Sequence, residues 1–104
     1  MPSSNLKVKK GMYQGIDSIC VVGPFDSMDE QVDILADSII GQGKKDIVFD
    51  FIDTVYMTSS GIAAIIKVLR KTQRIKGRLF IANITQDMYN LIVNSNLDRY
   101  LQVI

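Results

Sequence analysis

The chain has 104 residues, 47% of them hydrophobic, and 12 Lys or Arg against 11 Asp or Glu, for a formal net charge of +1. That balance suits one folded domain with a single core; it excludes a disordered chain and any overall electrostatic pull toward nucleic acid or an anionic membrane. The one cysteine, Cys20, excludes an intramolecular disulfide, and the absence of histidine removes Ser-His-Asp and Cys-His catalysis, histidine phosphorelay and most zinc sites.

Residues 6–14 alternate apolar and polar, the period of a half-exposed strand. Gly15-Ile16-Asp17-Ser18 reads as a turn, and Ile19 to Val22 as a more buried strand, which together make a hairpin. Cys20 lies within that apolar run and reads as a buried, inert thiol. Gly23-Pro24 is expected to end the strand, because proline has no donor for a ladder. Ser27-Met28-Asp29-Glu30 fits the S-x-x-E capping box and predicts a helix from about Ser27. Met28, Val32, Leu35, Ala36, Ile39 and Ile40 form its apolar face, and Gly41 and Gly43 its stop.

Asp46 to Ile52 is a short, nearly continuous apolar run, read as a central strand covered on both faces. After Val55-Tyr56-Met57 come Thr58-Ser59-Ser60-Gly61 and a second helix. Ile62, Ile65, Ile66 and Leu69 make its buried stripe, and the basic run from Lys67 to Arg78 loads its later turns, where cations suit the helix dipole. Leu79 to Ala82 is a buried strand; Thr85 is the expected N-cap of a third helix with Met88, Leu91 and Ile92 inward; residues 97–104 are expected to finish as a short edge strand. The order β-β-α-β-α-β-α-(β) predicts an α/β fold. Its sheet is mixed and mostly parallel, of four to five strands, with helices packed against it, in one domain over 1–104 whose residues 1–5 are flexible.

Thr58, Ser59 and Ser60 place three hydroxyls at a helix start. Two readings fit. In the first they cap the helix, where Ser or Thr oxygen accepts from unpaired amides; one hydroxyl suffices for that. In the second they form a phosphoswitch, because the amides and dipole there suit the charge of a phosphoserine. Gly61 then leaves room for a partner or kinase backbone. Asp26, Asp50 and Asp53 stand at ordinary turn and capping positions, which outweighs acid–base or Mg²⁺ chemistry. The basic run reads as a solvated helix face rather than a nucleic-acid site, since it lacks interleaved aromatics. With no phosphate-binding glycine motif and no nucleophile–base pair, the chain is not expected to be an enzyme. No apolar stretch reaches membrane-span length and Met1 to Asn5 has no signal-peptide core, so a cytoplasmic location without membrane insertion is expected.

Three segments resemble the STAS family, and within it the single-domain anti-sigma factor antagonists. Gly23-Pro24-Phe25-Asp26 is similar to the family's Gly-x-Leu-Asp segment. Asp50 through Ile62 is similar to its strand-loop-helix signature, which usually ends Asp-Ser-Ser-Gly-Leu. Asn94-Ser95-Asn96-Leu97, with Leu101 and Ile104, is similar to its last turn and strand. The resemblance covers about residues 6–104.

It implies that Ser60 is phosphorylated by an anti-sigma factor serine kinase, with Ser59 and Thr58 as alternatives. The unphosphorylated form binds that kinase, and a metal-dependent serine phosphatase resets the switch. ATP and metal belong to those partners, so the chain itself needs no cofactor and controls transcription, as in a stress response, by partner switching. The resemblance puts Asp26 and Asp53 near the loop, and Met57, Thr58, Ser59, Gly61 and Ile62 in or beside it, as partner contacts. Thr58 stands where the family usually has an acid, and the sequence reaches Ile104 without the last helix of many members, leaving apolar surface for self-association or a partner. Two alternatives stand beside this reading. One is a non-phosphorylated accessory subunit of a lipid-transport ABC complex; the other is nucleotide binding at the helix start.

Overall fold

The computed structural model describes residues 5–104. Strands β1 (Lys7–Tyr13) and β2 (Ile16–Phe25) form the expected antiparallel hairpin, with Val8 opposite Val21 and Tyr13 opposite Ile16. The turn is Gln14-Gly15, not Gly15 to Ser18. Both residues have positive φ (51° and 83°), the backbone that matches a two-residue turn to strand twist. The flexible segment expected at 1–5 lies, apart from Asn5, outside the described residues.

β2 runs through Gly23-Pro24 instead of ending there, because a second partner takes over. Strand β4 (Thr54–Met57), which the sequence reading missed, pairs parallel with it: Gly23 with Thr54, Pro24 with Tyr56. The register shifts between those pairs and leaves Val55 as an extra residue. Such a bulge accommodates proline's missing donor. Gly23 has φ +90°, and its amide donates to the Asp53 carbonyl at 3.0 Å. A Cβ there would lie 2.8 Å from the Asn5 carbonyl oxygen.

The sheet runs β1-β2-β3-β5-β6, with β3 (Asp46–Asp50), β5 (Arg78–Ala82) and β6 (Gln102–Val103) parallel to β2. It is mixed and mainly parallel, with six strands rather than four or five. β3 is the predicted central strand but stops at Asp50, whose carboxylate accepts the Ile52 amide at 3.1 Å and turns the chain toward β4.

Helix α1 (Glu30–Gly41) is capped by Asp29, which accepts the Gln31 amide at 2.8 Å; the Ser27–Glu30 box is unused, and Met28 is exposed rather than on the apolar face. Helices α2 (Ser59–Arg74) and α3 (Gln86–Asn94) begin where expected, α3 with Thr85 accepting the Met88 amide at 3.3 Å. Buried residues of all three helices join alternate strand residues, among them Ile19, Val21, Ile47 and Phe49, in one core. The intervening strand residues form a second cluster of Val48, Phe80 and Ala82, with Tyr13 and Ile16 against it and no helix residue. The helices thus pack on one face only. The other face is sealed by the sheet's own side chains, which is why β3 lacks polar alternation without a helix on each side.

Candidate functional site

β2, β3 and β5 end at one edge of the sheet, where α1, α2 and α3 begin. Phe25 and Phe51 stand at this edge and cluster with Phe49, Phe51 stacked on Phe49 at 5.7 Å and Phe25 tilted against both at 6.0 to 6.1 Å. Aromatic contacts of this kind each contribute roughly 1 kcal/mol beyond area burial. They make a rigid floor under the loops.

Thr58 is the N-cap of α2, and its hydroxyl accepts the Ser60 amide at 3.3 Å. Its own amide donates to the Phe25 carbonyl at 3.1 Å, tying the loop to β2. Ser59 and Ser60 follow in the first turn, both exposed. Capping is therefore met by Thr58, and two serines remain open to solvent. α2 also differs from its neighbours. The first turns of α1 and α3 carry Glu30 and Asp33, and Asp87, whereas that of α2 carries no acid. Its positive dipole end has no acid of its own turn to meet it and faces solvent beside the two serines.

Asp26 lies next to this turn, half-buried, and accepts a hydrogen bond from the Tyr56 phenol at 3.3 Å. The Asp26 carboxylate raises the Tyr56 pKa above the ordinary phenol value. Asp53 is exposed in the turn between β3 and β4. Asp50 has a structural role: besides the Ile52 amide it accepts the Asn83 side-chain amide at 2.9 Å.

Three expected partner contacts lie elsewhere than the surface. Met57 and Ile62 are buried in the core. Gly61 is buried too, and the room beside it is already taken. A Cβ there would strike the Phe25 carbonyl oxygen and lie 2.9 Å from Met57 Cγ and 3.0 Å from Phe25 Cγ. Gly61 lets α2 seat on β2 rather than admitting a partner. The exposed apolar residues of this end are Met28, Ile52, Val55 and Tyr56; Ile52 is 62% and Val55 72% exposed. Val55 and Tyr56 both face outward because the bulge breaks β4's alternation, a signal the sequence carries only as Pro24 opposite an apolar run. Val55, Tyr56, Thr85 and Asp87 also line a groove of about 220 Å³ between β4 and α3.

Three of the six cations of the basic run are paired in place. Lys67 pairs with Asp33 at 2.6 Å, Lys71 with Asp37 at 2.7 Å, and Arg78 with Asp46 at 2.9 Å. No group of three metal-ligating side chains, and no helix long and apolar enough to cross a membrane, occurs among the described residues.

The family model for the STAS domain matches residues 15–104. No curated protein matches the sequence. Among solved structures, an anti-sigma factor antagonist from Mycobacterium paratuberculosis superposes with a TM-score of 0.77 at 13% identity, over 95% of this chain and 85% of that one. The Bacillus cell fate determinant SpoIIAA in its phosphorylated form gives 0.70 at 22% identity, over 94% and 91%. Unphosphorylated SpoIIAA, also an anti-sigma factor antagonist, gives 0.67 at 18% identity, over 95% and 86%. At these identities the likeness establishes a common fold.

Proposed function

The chain belongs to the STAS domain family, and from that premise we propose that it is a non-enzymatic anti-sigma factor antagonist, switched by phosphorylation of Ser60. The observation that carries this reading is the start of α2. Thr58 meets the cap while two serine hydroxyls stay exposed on the one helix whose first turn holds no acid. A phosphate on Ser60 would sit at the positive end of the dipole, in a first turn that holds no carboxylate, with Asp26 beside it adding to the negative charge a partner must face.

In this reading the unphosphorylated protein offers a partner kinase the rim of Asp26, Asp53, Ser59 and Tyr56, with Val55, Ile52 and Met28 as apolar anchors. Phosphate changes the surface and leaves the fold intact, because the phenylalanine floor and Gly61 hold α2 independently. Loop residues 26–29, 51–58 and 83–85 contain no Lys or Arg that could draw the phosphate inward. The phosphate stays hydrated, and a partner must strip that water against a surface built for a neutral hydroxyl. That desolvation costs several kcal/mol by order of magnitude and releases the partner. A phosphatase then restores the hydroxyl. In this reading ATP and metal belong to the kinase and the phosphatase, and the chain works beside them in the cytoplasm.

The test is calorimetric binding of the anti-sigma factor kinase to wild type, Ser60→Ala and Ser60→Asp. Ser60→Ala is expected to bind as wild type does, and Ser60→Asp to lose binding while keeping its circular dichroism spectrum. Unchanged affinity in Ser60→Asp ends the reading. Thr58, standing where an acid is usual, favours one other reading: a constitutive, unphosphorylated subunit of a transporter complex. That reading expects co-purification with a transporter ATPase that is indifferent to all three hydroxyls.

A further inference from the structure

The net charge of +1 conceals two poles. At the edge where β2, β3 and β5 end, the loops and helix starts carry Asp26, Asp29, Glu30, Asp50, Asp53 and Asp87, and the cation near them is Lys7, at the start of the antiparallel β1 opposite Val22. At the opposite edge, where these strands begin, Lys10, Lys44, Lys45, Lys76 and Arg78 surround Asp17 and Asp46. Five cations less two carboxylates give +3 there, against six carboxylates less Lys7, or −5, at the other end.

The basic pole is joined by contacts. Lys10 and Lys44 reach Asp17 at 3.6 and 3.3 Å, Arg78 reaches Asp46 at 2.9 Å, and Gly77, beside Lys76, abuts the Lys45 carbonyl. A cavity of about 280 Å³ opens among these residues, lined by Gly15, Ile16, Asp17, Gly43, Lys44, Lys45 and Asp46. Its lysines, Lys44 and Lys45, are exposed, while Asp17 is buried and Asp46 half-buried. That layout suits a discrete knob with acidic flanks better than a continuous run of phosphates, which needs unbroken positive charge.

The acidic pole carries such a knob. Ile52 is 62% exposed at the tip of the turn from β3 to β4, two residues after Asp50 and one before the exposed Asp53. We propose that the basic pole is a docking surface for the acidic pole of a second copy of this chain. Ile52 of one copy enters the Gly15–Gly43 cavity of the next, and its flanking carboxylates meet the exposed lysines. The contact joins unlike surfaces, so it is heterologous: each added copy leaves one pole of each kind free, and the assembly grows head to tail. It also covers the turn beside the Ser60 helix start, so self-association and partner binding at that end exclude each other.

Salt and paired variants test this by sedimentation equilibrium. Wild type is expected to gain weight-average mass with concentration at about 20 mM salt and to be monomeric at about 0.5 M, where the Debye length falls from roughly 20 Å to roughly 4 Å. Lys45→Glu with Lys76→Glu removes the basic pole. Ile52→Ser with Asp53→Lys removes the knob. Each double variant alone is expected to be monomeric at low salt. An equimolar mixture of the two is expected to form a dimer of twice the monomer mass and nothing larger, because each keeps the pole the other lost and the pair has no working pole left. That positive result also shows both variants folded. A wild type that stays monomeric at low salt, either variant associating alone, or a mixture that stays monomeric overturns the proposal. So does retention of a DNA duplex by wild type and not by the lysine variant without self-association.

Discussion

Gly61→Ala isolates what holds the α2 start in place. The added methyl would strike the Phe25 carbonyl oxygen and fall within 3.0 Å of two further carbon atoms, Met57 Cγ and Phe25 Cγ. The carbonyl cannot turn aside cheaply, because it accepts the Thr58 amide at 3.1 Å. Nor can the Phe25 ring, fully buried against Phe49 and Phe51. Overpacking of this kind costs about 1–3 kcal/mol. Alanine's better helix propensity returns up to about 1 kcal/mol in a helix interior and less in a first turn. A net destabilisation of about 1–2 kcal/mol corresponds to a fall in Tm of roughly 4–16 °C for a domain near this size. Urea and thermal unfolding of wild type and Gly61→Ala measure it directly. A variant as stable as wild type, or more stable by the propensity gain, would refute the claim that Gly61 serves internal packing.

The caps and ion pairs supply three further expectations. Asp29→Ala should cost about 1 kcal/mol, as loss of an N-cap does, while Ser27→Ala should leave urea unfolding unchanged; the reverse ranking would restore the capping box. The Tyr56 phenol should titrate above the ordinary tyrosine range in an absorbance titration, because the Asp26 charge opposes a phenolate; Asp26→Asn should return it, and a phenol unmoved by that change would break the proposed contact. Asp46 should titrate below the usual carboxylate range, chiefly through its hydrogen bond from Arg78. A carboxyl depressed in the folded state contributes stability above its unfolded pKa of about 3.9 and loses it as pH falls through the folded value; carbon-detected NMR of Arg78→Ala should show Asp46 back in the usual range.

Much of the architecture was legible because each element announced itself locally. The alternation of residues 6–14, the apolar run from Asp46, the cap Thr85 and the three hydroxyls from Thr58 to Ser60 report on neighbours within one turn or one strand. What was missed depends on distant pairing. Pro24 looks like a terminator until Tyr56 lies opposite it across a bulge, and the same bulge turns Val55 and Tyr56 outward while Met57 stays in. Ser27 and Asp29 both offer capping oxygens two residues apart; the choice between them depends on how β2 delivers the chain into α1. Gly61 stood out as a glycine beside two serines, but only Phe25, thirty-six residues earlier, says why it cannot be larger. The charge segregation was present in the sequence and invisible there, because the strand topology alone sorts the loops into two edges.

The phosphoswitch at Ser60 is tested most directly by peptide mass spectrometry on the chain isolated from its own cells across growth conditions. A single phosphate on Ser60, present in some conditions and absent in others, is the predicted result. A chain that carries no phosphate on Ser60 in any condition would contradict it.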